Sequence, residues 1–211
     1  MNIISTNIGN PVTFEWNGKE EQTGIFKYPT QEPLFLTKND VKDDTVIDRE
    51  HHGGTNKACY LFSSEQYPYW KKLYPQLNWD WGMFGENLTV DGFDESKILI
   101  GSIYRIGEAV VQVSQPREPC YKLGIRFGDQ QVIKKFVKHN HPGTYVKILE
   151  EGRVTTGDSM TLIATSTNTL TVQQFYVLMF AKEKEPSLLK VFMDNPAVPQ
   201  YKKDRYLKYL V

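Results

Sequence analysis

The sequence predicts a mostly β protein with helices, of the α+β class. Three observations carry this. Short β-prone runs broken by Gly, Asn, Asp and Pro fill the first two thirds of the chain. Two helical patterns interrupt them. After Thr165 the pattern changes, and the chain reads as helices alone.

In order, strands are expected at 2–7, 13–16, 21–26, 34–36, 58–62, 88–90, 103–106, 109–116, 143–150 and 159–163. The clearest stretch is "YRIGEAVVQVSQP", two β-rich runs joined across Gly107 and Glu108 as a hairpin. Gly157 and Asp158 mark a turn before the last strand. "SSEQYPYWKKLY" reads as a helix: Ser63 and Gln66 have capping-box spacing, and Pro68 falls in a first turn, where proline is tolerated. "DQQVIKKFVKH" reads as a second helix, with Asp129 as its cap and Val132, Ile133, Phe136 and Val137 on one face. In the tail, Thr171 and Gln174 have capping-box spacing, and Pro186 and Pro199 each open a further helix. The expected division is a β-rich domain over 1–165 and a three-helix domain over 166–211. The second part is too short for much core of its own, so it packs on the main domain or on a second subunit, which makes a homodimer an expectation.

The 211 residues carry 25 basic and 25 acidic side chains, so no global field draws the protein to nucleic acid or an anionic membrane. Aromatics do not interleave with a basic stripe, as a single-strand nucleic-acid groove requires. No apolar run approaches the roughly 20 residues that span a bilayer, and the first residues lack a secretory pattern. A cytoplasmic protein is expected. There Cys59 and Cys120 are thiols rather than a disulfide.

Cys120 lies in "SQPREPCYKLG", with Pro116 and Pro119 ending the preceding strand and Arg117 and Lys122 within three residues. The thiolate is the form that attacks or ligates metal, and these cations favour it. A small buried hydrophobe is the competing reading. Cys59, in "KACYLF", reads as core packing.

Two other clusters stand out. In "REHHGGTNK", Gly53 and Gly54 let backbone N–H groups approach an anion, among Arg49, His51, His52 and Lys57. In "FGENLTVDG", Gly85 permits an unusual backbone angle and Asn87 offers two donors and an acceptor. Read alone, each is better explained as an ordinary turn. The His139-X-His141 pair in "KHNHPG" has no partner at zinc-site spacing. Walker, GxGxxG, GxSxG and HExxH motifs are absent from the sequence.

Taken in order, "FKYP", "DREHHGGTNKACY", "YPYWKKLYP", "FGENLTVDG", "LIGSIYRIGEAVVQVSQPREPCYKLG" and "GTYVKILEEGRVTTGD" resemble the MOSC-domain family, the molybdenum cofactor sulfurase C-terminal-like proteins. The likeness is greatest to its YiiM-type bacterial members, which carry a three-helix C-terminal domain. The resemblance implies a β-barrel and a molybdenum–molybdopterin cofactor. It implies that Cys120 is the catalytic thiol and metal ligand. It matches Lys27, His52, Gly53, Gly54, Asn87 and Arg117 to the positions that hold the cofactor, with Asp48 orienting the loop. The implied activity is reduction of N-hydroxylated compounds such as nucleobases, with electrons from a redox partner, since two cysteines cannot hold an iron–sulfur cluster that needs four. Three other readings remain: a carrier of the cofactor or of its sulfur without turnover, a cysteine hydrolase using Cys120 with a histidine, and a purely structural interaction module in which Ser replaces Cys120 without loss.

Overall fold

The computed structural model describes residues 1–47 and 53–210. Twelve strands and six α-helices follow one another among them. The strands are β1 (Asn2–Gly9), β2 (Val12–Trp16), β3 (Lys19–Thr23), β4 (Lys27–Pro29), β5 (Leu34–Leu36), β6 (Cys59–Ser63), β7 (Leu88–Asp91), β8 (Ile103–Ile106), β9 (Ala109–Pro116), β10 (Thr144–Glu150), β11 (Gly152–Val154) and β12 (Met160–Ala164). The helices are α1 (Tyr67–Leu73), α2 (Tyr121–Phe127), α3 (Gln131–His139), α4 (Val172–Phe180), α5 (Pro186–Asp194) and α6 (Gln200–Asp204).

Eight strands form one mixed sheet in the order β12-β8-β9-β10-β6-β7-β1-β4. Only β6 and β7 run parallel. The sheet curls until β1 meets the approach to β12. Ile3 N–H donates to Asp158 O at 2.8 Å, Gly157 N–H to Ile3 O at 2.7 Å and Met160 N–H to Met1 O at 2.9 Å. The seam is stitched by these bonds and one bridge, Asn2 to Ser159, rather than by a full ladder. The expected hairpin is present, with Ile106 opposite Ala109.

Alternate residues of β6, β7, β9 and β10 turn inward: Cys59, Leu61, Leu88, Val90, Val111, Val113, Val146 and Ile148 are buried in one cluster. That cluster continues into the tail through Val172, Phe175, Leu189, Phe192 and Val198. A polar rivet adds to this contact. Buried Asn195 donates from Nδ2 to Ile100 O at 3.2 Å and to Asn168 Oδ1 at 2.9 Å. The tail helices therefore pack on the barrel. Their caps follow the sequence: Gln174 N–H donates to Thr171 Oγ1, and Thr171 N–H to Gln174 Oε1, both at 3.0 Å.

A second cluster is aromatic and sits outside the barrel under α1–α3. Phe62, Tyr67, Trp70, Phe84, Phe127 and Phe136 are nearly solvent-free. Phe62 and Phe84 stack at 4.2 Å, and Trp70 meets Phe84 edge-on at 5.6 Å. Such pairs add about 0.5–1.5 kcal/mol each beyond their buried area.

Several local expectations are corrected. Ser63 does not cap α1: its hydroxyl donates to Glu65 at 2.5 Å, a short 3₁₀ turn covers 64–66, and Pro68 lies in the first turn of α1. Asp129 caps α3 from one residue farther out, accepting Gln131 N–H at 2.8 Å. The expected strand at 21–26 is cut short instead, β3 ending at Thr23 and β4 starting only beyond it, at Lys27. Gly24, between them, packs so closely that a Cβ there would meet Thr45 O at 2.0 Å.

Candidate functional site

The end of β9 carries Gln115 and Arg117 into the interior, 1% and 4% exposed. The Arg117 guanidinium lies over the Tyr60 ring, 4.9 Å from its centre. Tyr60 is fixed in turn by its hydroxyl, which donates to Pro142 O at 2.7 Å. The Nε and Nη1 atoms of Arg117 are buried and have no hydrogen-bond partner. Burial works against its charge, but the adjacent Tyr60, Tyr145 and Cys120 hold its pKa above the ordinary guanidinium value. Burial pushes the Tyr60 and Tyr145 phenols up, with Arg117 opposing. Both are therefore protonated at neutral pH.

Three residues on, Cys120 is half-buried and extended, with φ −123° and ψ 172°. It ends the short loop that the prolines implied, residues 117–120, between β9 and α2. It is the cap residue of α2, and Leu123 N–H donates to its carbonyl at 2.9 Å. The helix fixes the thiol's direction. The next residue, Tyr121, stacks on Trp16 at 5.0 Å and donates its hydroxyl to Glu21, pinning the β2–β3 hairpin beside the thiol. Cys59 is different: it is 1% exposed, and burial, helped by Asp44, pushes its thiol well above the ordinary range. It is core packing.

The close pass at Gly24 brings 44–45 inward and sets Asp44 at the cavity wall. Its carboxylate pairs with Lys27, both side chains under a tenth exposed. Asp44 Oδ2 also accepts from Asn87 Nδ2 at 2.8 Å, and Oδ1 accepts Gly9 N–H at 3.0 Å. The Asn87 oxygen takes Tyr60 N–H at 3.2 Å. Lys27 and Asn87 thus belong to a polar knot around Asp44. The loop bearing Asn87 is shaped by Glu86, fully buried, which accepts from Gly82 N–H, Phe84 N–H and Thr89 Oγ1 at 3.0–3.1 Å and from Tyr67.

One cavity of about 650 Å³, mouth included, is lined by Lys27, Gly53, Asn87, Arg117 and Cys120, all expected from the sequence. Asp44, Lys57, Tyr60, Lys122 and Tyr145 complete its polar wall. Gly85 lines it too: at φ +76° no side chain is favoured, and a Cβ would stand 2.9 Å from Ile25 and 3.6 Å from Arg117 Nη1. Gly54 lies next door, lining a larger open cleft, and its N–H is engaged by Asn39 O at 2.8 Å. His52, with Asp48, Arg49 and His51, lies outside the described residues. The histidines at 139 and 141 sit elsewhere, His139 against Gln66 at 2.8 Å and His141 against Glu95 at 3.0 Å. No cluster of three or more metal-type ligands occurs among the described residues.

Sequence reasoning missed Asp44, Tyr60 and Tyr145. Asp44 stands in an acidic run, "NDVKDDTVID", that gives no sign of which carboxylate turns inward. Tyr60 follows a residue read as core, and Tyr145 looked like any strand tyrosine.

Fold and site define a β-barrel protein in which strand ends and short helices bring a thiol, a buried guanidinium and three lysines to one cavity. The chain belongs to the MOSC domain family, whose model matches residues 48–161. It is 34% identical to the uncharacterized protein YflK of Bacillus subtilis over 208 residues, 98% of this chain and 93% of that one. It is 32% identical to the protein YiiM of Escherichia coli over 72% of this chain and 68% of that one. A protein named reductase from Gibberella moniliformis is 31% identical over 69% of this chain, which spans 26% of its length. The crystal structure of YiiM from Geobacillus stearothermophilus superposes with a TM-score of 0.82 at 28% identity, covering 100% of this chain and 99% of that one.

Proposed function

We propose that this protein is a molybdenum-cofactor-dependent reductase of N-hydroxylated compounds, nucleobases among them. The observation that carries the reading is the cavity itself: a thiol and a buried guanidinium with unpartnered N–H groups face the same space. The residues fit a phosphate-bearing, metal-carrying cofactor. A soft thiolate suits such a metal, so Cys120 is the ligand. Arg117 supplies fixed donors for the phosphate, and Lys57 and Lys122 add charge at the mouth. Lys27 and Asn87, tied to Asp44, shape the wall. Names in the family support a reductase: the fungal relative is called one.

When bound, the cofactor supplies a metal that takes two electrons from a donor and delivers them to the substrate. The overall change is N–OH plus two electrons and two protons to N–H plus water. This chain holds no flavin, haem or iron–sulfur motif, so the electrons come from a redox protein. Arg117, set rigidly on Tyr60, orients the anionic end, while α2 aims the thiol. Among the described residues no helix is long and apolar enough to cross a membrane; the reading places the protein in the cytoplasm.

The test is metal analysis of protein made in a cofactor-competent host, wild type beside Cys120→Ala, followed by reduction of an N-hydroxylated base with a chemical electron donor. Near-stoichiometric molybdenum, lost in the variant, with product formed, is expected. Molybdenum without product leaves the carrier reading. Turnover of esters or amides without metal overturns both.

A further inference from the structure

The thiol has a second neighbourhood. Beyond the inner cavity opens a cleft of about 1800 Å³, mouth included, and the two share Gly53, Lys57, Cys120, Lys122 and Tyr145. Cys120 therefore stands at a junction. The far wall of the cleft belongs to the helical tail: Phe180 from α4, then Tyr201, Lys202 and Arg205 in and after α6.

This wall is anchored from below. Lys202, its side chain 4% exposed, donates to Glu118 at 2.6 Å. Gln115 Nε2 donates to the Tyr201 hydroxyl at 2.8 Å. Both anchors reach the segment that carries Cys120, so tail and thiol are held in one frame. Two features face outward from it. Phe180 and Tyr201 are 42% and 40% exposed, flat apolar surfaces beside a polar floor. Arg205 is exposed and takes no part in a salt bridge or side-chain hydrogen bond among the described residues. Four cations and one carboxylate, Glu118, line the cleft, and Glu118 is already paired.

We infer that this outer cleft is the substrate subsite, and that its tail-built wall selects a planar heterocycle bearing an anionic substituent, a nucleoside monophosphate rather than a neutral base. Tyr201 and Phe180 offer faces on which a ring stacks. Arg205 offers a planar fork for a phosphate. A neutral base has no use for that unspent guanidinium. The inference rests on the reductase reading for its chemistry, but its binding does not need the metal.

The experiment is calorimetric titration of the full chain, prepared without cofactor, with adenosine 5′-monophosphate and with adenosine. Both are amino compounds, as the reaction's product is. Each titration is run with saturating inorganic pyrophosphate to fill the inner cavity. The nucleotide is expected to bind at least tenfold tighter than the nucleoside. Arg205→Gln removes that preference, Tyr201→Ala weakens both ligands, and neither variant changes pyrophosphate affinity. Equal affinity for nucleotide and nucleoside, a preference untouched by Arg205→Gln, or displacement of the nucleotide by pyrophosphate overturns the inference. Failure of the loaded enzyme to reduce any N-hydroxylated compound overturns the reductase reading alone.

Discussion

Arg117 rests on the face of Tyr60, 4.9 Å from the ring centre, with two of its nitrogens buried and unpartnered. A cation so placed is held by a ring quadrupole instead of a carboxylate, which leaves its N–H groups for a ligand. Arg117→Lys keeps the charge but loses the planar fork. Pyrophosphate affinity is expected to fall at least tenfold, measured by calorimetry, about 1.4 kcal/mol or more. Tyr60→Phe keeps the ring and loses only the bond to Pro142, so affinity stays near wild type while stability drops by about 1 kcal/mol.

Asp44 carries three partners at once. Asp44→Asn leaves Lys27 charged, buried and without its counter-ion, a change that costs about 3–5 kcal/mol in buried pairs. Urea unfolding is expected to show that loss. Adding Lys27→Met restores much of it, because the stranded charge is gone.

Phe84 is solvent-free and touches Phe62, Tyr67, Trp70, Phe127 and Phe136. Phe84→Ala empties the centre of the aromatic cluster and is expected to cost about 3–5 kcal/mol in the same measurement. An unchanged midpoint would show that α1–α3 are held by other contacts.

The two histidines give opposite pH dependences. Burial, with His141 adding repulsion, holds His139 down to about 4. The unfolded chain then binds more protons than the folded one between about 6.5 and 4, so stability falls as pH drops through that window. His141 is raised by its hydrogen bond to Glu95, against burial. Its contribution is full below about 6.5 and is lost as pH rises through its folded value. In unfolding curves from pH 4 to 8, His139→Gln removes the acid-side loss. His141→Gln lowers stability most at the acid end.

Local signals read well where the chain solves its own hydrogen bonding. The Thr171–Gln174 box, the hairpin across Gly107 and Glu108 and the prolines of α1 and α5 were all legible. Ser63 was not, because Glu65 competes for its hydroxyl within two residues. Nor was α2. "YKLGIRF" contains a central glycine, unfavourable in a helix interior, and is rescued by packing: Gly124 sits where a Cβ would meet the Gln130 side chain at 2.3 Å. The candidate site was legible as chemistry but not as geometry. Cys120, Arg117 and Gly53 announced a thiol and an anion cradle. Asp44 did not announce itself, since its inward turn depends on Gly24 lying against Thr45, a contact between distant segments.

The stitched seam has a consequence for how the molecule comes into being. Thr6 N–H reaches Thr156 Oγ1 across 150 positions of sequence, beside the bonds that join Ile3 to Asp158. Contacts so remote pay their loop-closure entropy late and slow the search for the native state. On a ribosome the ring cannot shut until nearly the whole barrel has emerged, and the wall that α6 contributes arrives later still. The cavity that Lys27 and Cys120 share is therefore complete only after most of the chain has been made. The topology thus orders the chain itself: closure of the ring first, the outer wall after it.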